Sequence, residues 1–506
     1  MSGPVPLPTA EELRIEVQAM VDLGARLTGA EPHDRFCAWV ERELTAAGLH
    51  LLAPDEYAYD RWLAERVALE VTGNGGSRTV EVAFAYVRSA STPADGVSGP
   101  LLHLGEMPLA TGTGVPDEGD RQGTTPREIR SWADNLDRGE LAGAIVVVDV
   151  ALPMRLSATT FVALADYLHW PGHAAEEWSA IDYTRPWVGP WPELGVFAEL
   201  GVAGVVFAAD APHELLAGNY SPHVGRRQPV PAVVVGQETA LVLRQLCRAG
   251  PTAARLTLQA PSTPVRLRSV TAVLPGTSDE VLVVNSHSDG QNAFEENGTV
   301  ALVALARHFA SLPPDRRLHR TLVVTTWPGH MSGEEGIEDA SCWVVAHPDL
   351  IERAAAAVTV EHLGATEWSV GESGYGPTGH PELYGIWATR GPTAEAAKAA
   401  LVDADLHRHA VLKPPIQITP GRPFHDAGVP HVSGIAGPSY LLVVSEDGEM
   451  AKFDQHLAAR QVAFYADVIR RLDAIALADM RGVDPTLGGN PPTYVDGRIA
   501  PLGGKH

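Results

Sequence analysis

The sequence predicts an α/β fold built on parallel-type strands, and three separate stretches predict it. VLVV (281–284) is an apolar run of strand length; a polar turn, NSHSDG, follows it, and an acidic loop ending Glu295-Glu296-Asn297-Gly298 opens an Ala/Val/Leu helix. TLVVTTW (321–327) is a second such strand, leading into the polar loop PGHMSGEEG. AAAAVTV (354–360) is a third, ending in Glu361-His362-Leu363-Gly364. A His, a spaced Asp and further carboxylates therefore gather at the C-terminal ends of strands, where open α/β sheets place their chemistry. His with carboxylates is also a ligand set that suits zinc or a similar divalent ion.

The other elements follow in chain order. Phe36, Val40 and Leu44 recur at helical spacing, and Gly48 stands where that helix would stop. From about Asp95 the text changes to short strand-like runs, IVVVDV (145–150), GVVFAA (204–209) and the run after Pro231. Phe161, Tyr167, Trp170, Trp178, Tyr183, Trp187 and Trp191 crowd residues 151–193 of a chain that is 6% aromatic. Two readings of that crowding stay open: a hydrophobic subcluster, or a wall over the active site. After Met480 the tail is rich in Gly and Pro and has no period.

Composition narrows the function classes. The 506 residues are 45% hydrophobic and 20% charged, ordinary for two or three globular domains. A net charge of -24 argues against nucleic acid and anionic membranes as partners. No apolar run reaches the roughly 20 residues that span a bilayer, and MSGPVPLPTAEELR lacks the features of a signal peptide. Cys37, Cys247 and Cys342 are far apart and show no metal spacing. The expectation is a cytoplasmic protein with reduced thiols.

The 281–306 stretch resembles the co-catalytic zinc exopeptidases, the family of bacterial leucyl aminopeptidases, carboxypeptidase Q and glutamate carboxypeptidase, with glutaminyl cyclase more distant. His287-Ser288-Asp289 matches that family's His-x-Asp, and Glu296-Asn297-Gly298-Thr299 matches its Asp-Asn-x-Ser-Gly with Glu for Asp. Arg26 and Gly29 stand in the family's R-x-x-G setting near the N-terminus. The resemblance implies an α/β, mostly parallel-sheet zinc-exopeptidase-like domain with a β-rich protease-associated insertion. It divides the chain into 1–94 and 263–480 as the two parts of the exopeptidase-like domain, 95–262 as the insertion, and 481–506 as the tail.

The resemblance also implies the site. His287, Glu296 and Glu361 would hold one metal, with Asp289 orienting His287 and His362 as an alternative to Glu361. Two alignments compete after Trp327. Read without a gap, His330 takes the place of the general base and Met331 that of a ligand; read back from Ser341, Glu334 is the base and Glu335 the ligand. Tyr440-Leu441 stands where the family has Tyr-His, and Thr419-Pro420-Gly421 where it has Ser-Asp-His, although His425 and His431 are nearby. One intact and one broken ligand set imply a hydrolase of an amide or peptide-like small molecule using one divalent ion, zinc foremost. The rivals are an exopeptidase fold that has lost zinc hydrolysis and a mono-zinc acyl transferase of the glutaminyl-cyclase type. An oligomer is compatible with either.

Overall fold

The computed structural model describes residues 5–73, 75–108, 127–151, 157–187, 191–223, 226–332, 339–414, 417, 419–488, 494–495 and 498–499. Its larger sheet orders nine strands as His50–Leu51, Val270–Leu274, Arg320–Trp327, Ser278–His287, Ala354–Val360, His431–Ala436, Tyr384–Ala388, His409–Leu412 and Ala165–His169. The four strands from Arg320–Trp327 to His431–Ala436 run parallel, and antiparallel pairings close both edges. Central strands buried on both faces need continuous apolar runs, which VLVV and AAAAV supply.

Helices cover both faces. Ala10–Val21, Glu31–Ala46, Asn297–Ala310, Pro392–Asp403 and Gln455–Ala474 share one core cluster with the sheet. Phe36, Val40 and Leu44 are buried on that face as their spacing predicts, and Gly48 follows the helix with φ 91°. Trp343 and Phe424 anchor a smaller cluster on the opposite face. No helix among the described residues is long and apolar enough to cross a membrane. No disulfide joins the three cysteines.

A second, eight-stranded sheet contains Ile145–Val150, Gly204–Ala209 and Ala232–Val235 as parallel neighbours. Its membership differs from the sequence-derived limits at two places. Arg66–Gly73, Gly76–Val80 and Phe84–Ala85 already belong to it, so the sheet begins well before residue 95. Ala165–His169 does not belong to it: this strand pairs with His409–Leu412 at the edge of the larger sheet.

The aromatic-rich segment forms a hydrophobic subcluster, built for the most part against the larger sheet and not within the second one. Trp178 is buried with Leu383, Trp387 and Leu412 of the larger sheet, with Phe161 and Trp170 packed against them. Only Trp191, at its end, packs into the second sheet's core, edge-on to Phe84 and Tyr86. Met480, just before the tail, is buried, and within the tail Asp484 accepts from the Arg390 amide at 3.1 Å, which fastens its described part to the larger domain.

Candidate metal centre

The strand Ser278–His287 ends by delivering His287 to the sheet's C-terminal edge, on the same rung as Trp327. The following loop stays wholly buried through residue 300. A strap of the N-terminal segment holds it there. Arg26 forms a backbone bridge with Gly290, and its guanidinium pairs with Glu296 and donates to the carbonyls of Gly24, Met20 and Asn292. Thr28 donates to Asp289 Oδ2 at 2.5 Å, and His33 bonds Ser288 Oγ at 2.9 Å.

Two small residues explain how tightly the acidic loop closes. A Cβ at Gly290 would overlap the Glu296 carboxylate, and one at Gly298 would overlap the Val360 carbonyl. Asn297 then ties this loop to the next strand end: its Nδ2 donates to the Ala293 and Leu363 carbonyls, and its Oδ1 accepts from the Leu363 amide, each at 2.8 Å. That bond fixes the turn carrying His362, whose φ of 54° is left-handed. Such a backbone is costly for a non-glycine residue and concentrates at functional sites.

Both loops point their polar ends at one another. Ligand atoms of His287, Glu295 and His362 lie within 4.8 Å of one another, and all three residues are buried. His287 Nδ1 donates to the Asp289 carbonyl at 2.8 Å, and His362 Nδ1 donates to the Ala436 carbonyl. Each ring is thus turned so that Nε2 carries the lone pair. His362 Nε2 stands 3.4 Å from Glu295 Oε2, and His287 Nε2 stands 3.6 Å from Glu361 Oε1. The ring of His330 lies over His287 at 4.3 Å, with Nε2 3.9 Å from Glu295 Oε1.

The electrostatics are those of a site that lacks positive charge. Burial first, then the neighbouring Glu361, Glu296 and Asp289, pushes the Glu295 carboxyl well above the usual carboxylate range. Burial also pulls His287 and His362 down to about 3, with His362 adding to the shift at His287. His330 is lowered well below its ordinary value, by burial and then by His287. Neutral imidazoles and crowded carboxylates are what a divalent ion requires of its ligands. The Nε2 atoms of His287 and His362 and Oε2 of Glu295 are buried without a hydrogen-bond partner, a costly state for polar atoms. The residues present therefore fit a metal ion.

The structure departs from the expected set at three positions. Glu296 is not in the cluster; Arg26 holds it, and Glu295, its neighbour in sequence, faces the histidines. His362, the alternative to Glu361, is in the cluster, while Glu361 stands beside His287. Asp289 orients His287 with its main-chain carbonyl, not its carboxylate. That carboxylate, 3.8 Å from the ring, accepts from the amides of Gly329, His330 and Met331 and so positions His330. Glu334 and Glu335 lie outside the described residues. Leu441 is buried apolar side chain, while His425 and His431 lie with rings 5.1 Å apart near the opposite end of strand His431–Ala436. Sequence reasoning missed Glu295 and the Arg26 pairing. The doubled Glu295-Glu296 was the signal for the first; nothing in the sequence reports the second.

No family model matches the sequence, and no curated protein is similar to it. Solved structures are. A peptidase M28 precursor from Shewanella amazonensis superposes with a TM-score of 0.59 at 17% identity, covering 94% of this chain and 98% of that one. The chain has the zinc-exopeptidase fold. BSAP, a zinc aminopeptidase from Bacillus subtilis, matches with a TM-score of 0.55 at 14% identity over 94% and 99% of the two chains. An aminopeptidase from Aneurinibacillus sp. strain AM-1 gives 0.54 at 13% identity over 92% of each. At these identities the likeness concerns the exopeptidase fold, and the chemistry rests on the residues just described.

Proposed function

We propose that this protein is a hydrolase of amide or peptide-like small molecules that works with one divalent metal ion, zinc first among candidates. The observation that carries the reading is the buried trio His287, Glu295 and His362, with its ligand atoms turned toward one another and unsatisfied. Three protein ligands with an open position is the arrangement of catalytic zinc. A bound ion would supply carbonyl polarisation and an acidified water.

The chain's own residues do the rest. The Asp289 and Ala436 carbonyls lock the tautomers of His287 and His362. His330 accepts a proton: its ring is neutral, and it is the exposed member of the group at 21%, against 0% for His287. Being neutral near pH 7, the ring is free to take a proton, and burial, which lowers its pKa, makes it a weaker base than a free imidazole. The same reading assigns the second sheet to a protease-associated-type insertion and, from the three unbridged cysteines, the protein to the cytoplasm.

The test is elemental analysis of the untagged protein after zinc loading and dialysis, together with hydrolysis of aminoacyl anilides before and after chelation. One zinc per chain and chelator-sensitive hydrolysis are expected. A protein that retains no metal would be the fold without zinc hydrolysis.

A further inference from the structure

One rung below His287 the larger sheet breaks its apolar pattern. Asn285 pairs in register with Thr325 on one side and Thr359 on the other, and Thr359 pairs with Ser433. Neighbours in register share a sheet face, and residues two apart along a strand share it as well. The row Thr325, Asn285, Thr359, Ser433 therefore lies on the same face as His287 and directly beneath it. The strands that carry it are otherwise Val, Leu and Ala from 281 to 284 and from 354 to 358.

The ends of this row are satisfied internally. Thr325 Oγ1 bonds Thr271 Oγ1 at 2.8 Å. Ser433 donates to Thr419 Oγ1 at 2.6 Å, which also accepts from Gln417 Nε2 at 2.7 Å. The middle is not satisfied. Both amide atoms of Asn285, the Thr359 hydroxyl and Gln417 Oε1 are buried without a hydrogen-bond partner. Asn285 and Thr359 are 0% exposed and Gln417 is 5% exposed. Buried amides left unmade are expensive, and an apolar residue at 285 would continue the strand without that cost.

We propose that Asn285 and Thr359 form the floor of a substrate subsite beside the centre that accepts an uncharged hydrogen-bonding group, a carboxamide before a hydroxyl. The row itself presents one amide and hydroxyls and no charge. Asn285 offers a donor and an acceptor together, the complement of another carboxamide. This inference rests on the hydrolytic reading of the His287 centre and names the side chain its substrate would carry.

The experiment is titration calorimetry of zinc-loaded full-length protein with glutaminamide, asparaginamide, leucinamide and lysinamide, with zinc content measured in the same samples. Wild type should bind the two carboxamide side chains about 10- to 100-fold more tightly than leucinamide. Asn285→Leu, of similar shape, should erase that preference while zinc content stays at one per chain. Thr359→Val, which also keeps its shape, should reduce it and guards against a misfolded first variant. Zinc bound but no carboxamide preference, or a preference unchanged in both variants, would overturn the subsite and leave the row to ordered water. Carboxamide preference without bound zinc would overturn the hydrolytic reading and leave the subsite standing.

Discussion

The two sheets use the same kind of strand to different ends. In the second sheet, IVVVDV, GVVFAA and AVVV lie parallel and stay almost entirely apolar to their last residue, and every residue of the latter two is buried. In the larger sheet, VLVV, TLVV and AAAAV begin the same way and then turn polar over their final residues, into Asn285-Ser286-His287, Thr325-Thr326-Trp327 and Thr359-Val360-Glu361-His362. Burial is equally complete in both. Where the apolar pattern runs to the end, the sheet is scaffold. Where it breaks at the C-terminal edge, the polar atoms have to be met by something, and the cluster His287, Glu295, His362 forms there.

The sharpest way to break that contrast is to remove a ligand. His287→Ala and Glu295→Gln should each abolish zinc retention and with it hydrolysis, leaving apolar packing intact. Metal content after dialysis is the measure. Retention of a full equivalent in Glu295→Gln would move the ligand role to Glu361 or Glu296. Next in size, His330→Ala should lower kcat by about 10²- to 10⁴-fold with zinc still bound. A near-silent His330→Ala would hand the base role to Glu334 and favour the alignment read back from Ser341.

A third change separates the two adjacent acids. Glu296→Gln strands the buried guanidinium of Arg26 and should cost on the order of 3–5 kcal/mol of stability, while zinc content stays at one per chain. Denaturant unfolding together with elemental analysis reads both. If Glu296→Gln lost the metal and Glu295→Gln kept it, the expected assignment from sequence would be restored. In the second sheet, Leu256 is fully buried among Leu69, Val71 and Val206. Leu256→Ala should cost about 2–5 kcal/mol and leave zinc content and the rate per folded molecule unchanged. A loss of metal in that variant would mean that the scaffold sheet shapes the centre.

How much of this was legible follows from the range of each signal. Strand identity and the position of His287 are local, written in apolar runs of four or five residues, and they read correctly. The choice between Glu295 and Glu296 is not local. Both lie in an irregular loop without a period, and which of them turns away from the histidines follows the pairing of Glu296 with Arg26, 270 residues away in sequence. His362 faces the site because its backbone turns left-handed after the strand, so strict strand alternation from Glu361 does not place it. The edge strand Ala165–His169 was hidden among aromatics whose partners, Trp387 and Leu412, come more than 200 residues later. Pairings at such separations leave no pattern in a single sequence.

The smallest expected effect concerns that aromatic segment, and it tests where the site ends. Trp187 Nε1 donates to the Pro438 carbonyl at 2.9 Å, and Arg185 Nε donates to the Gly437 carbonyl at 2.5 Å. The Trp187 ring and the Tyr183 hydroxyl fill the space beside Gly437. These bonds hold the loop directly after Ala436, whose carbonyl sets the tautomer of His362. The segment is thus one step removed from the cluster of His287, Glu295 and His362 and touches none of the three in the contacts described. Trp187→Phe keeps most of the packing and deletes one hydrogen bond, so it should cost on the order of 1 kcal/mol of stability. Through the loop it should weaken zinc binding only slightly, by less than about tenfold, the lower end of what removing a ligand's own supporting partner does. Competition for zinc against a chelator of known affinity measures this directly. A loss in zinc affinity as large as that of His362→Ala would make the aromatic segment part of the centre, and the boundary between scaffold and site would then run through residue 187 and not through Ala436.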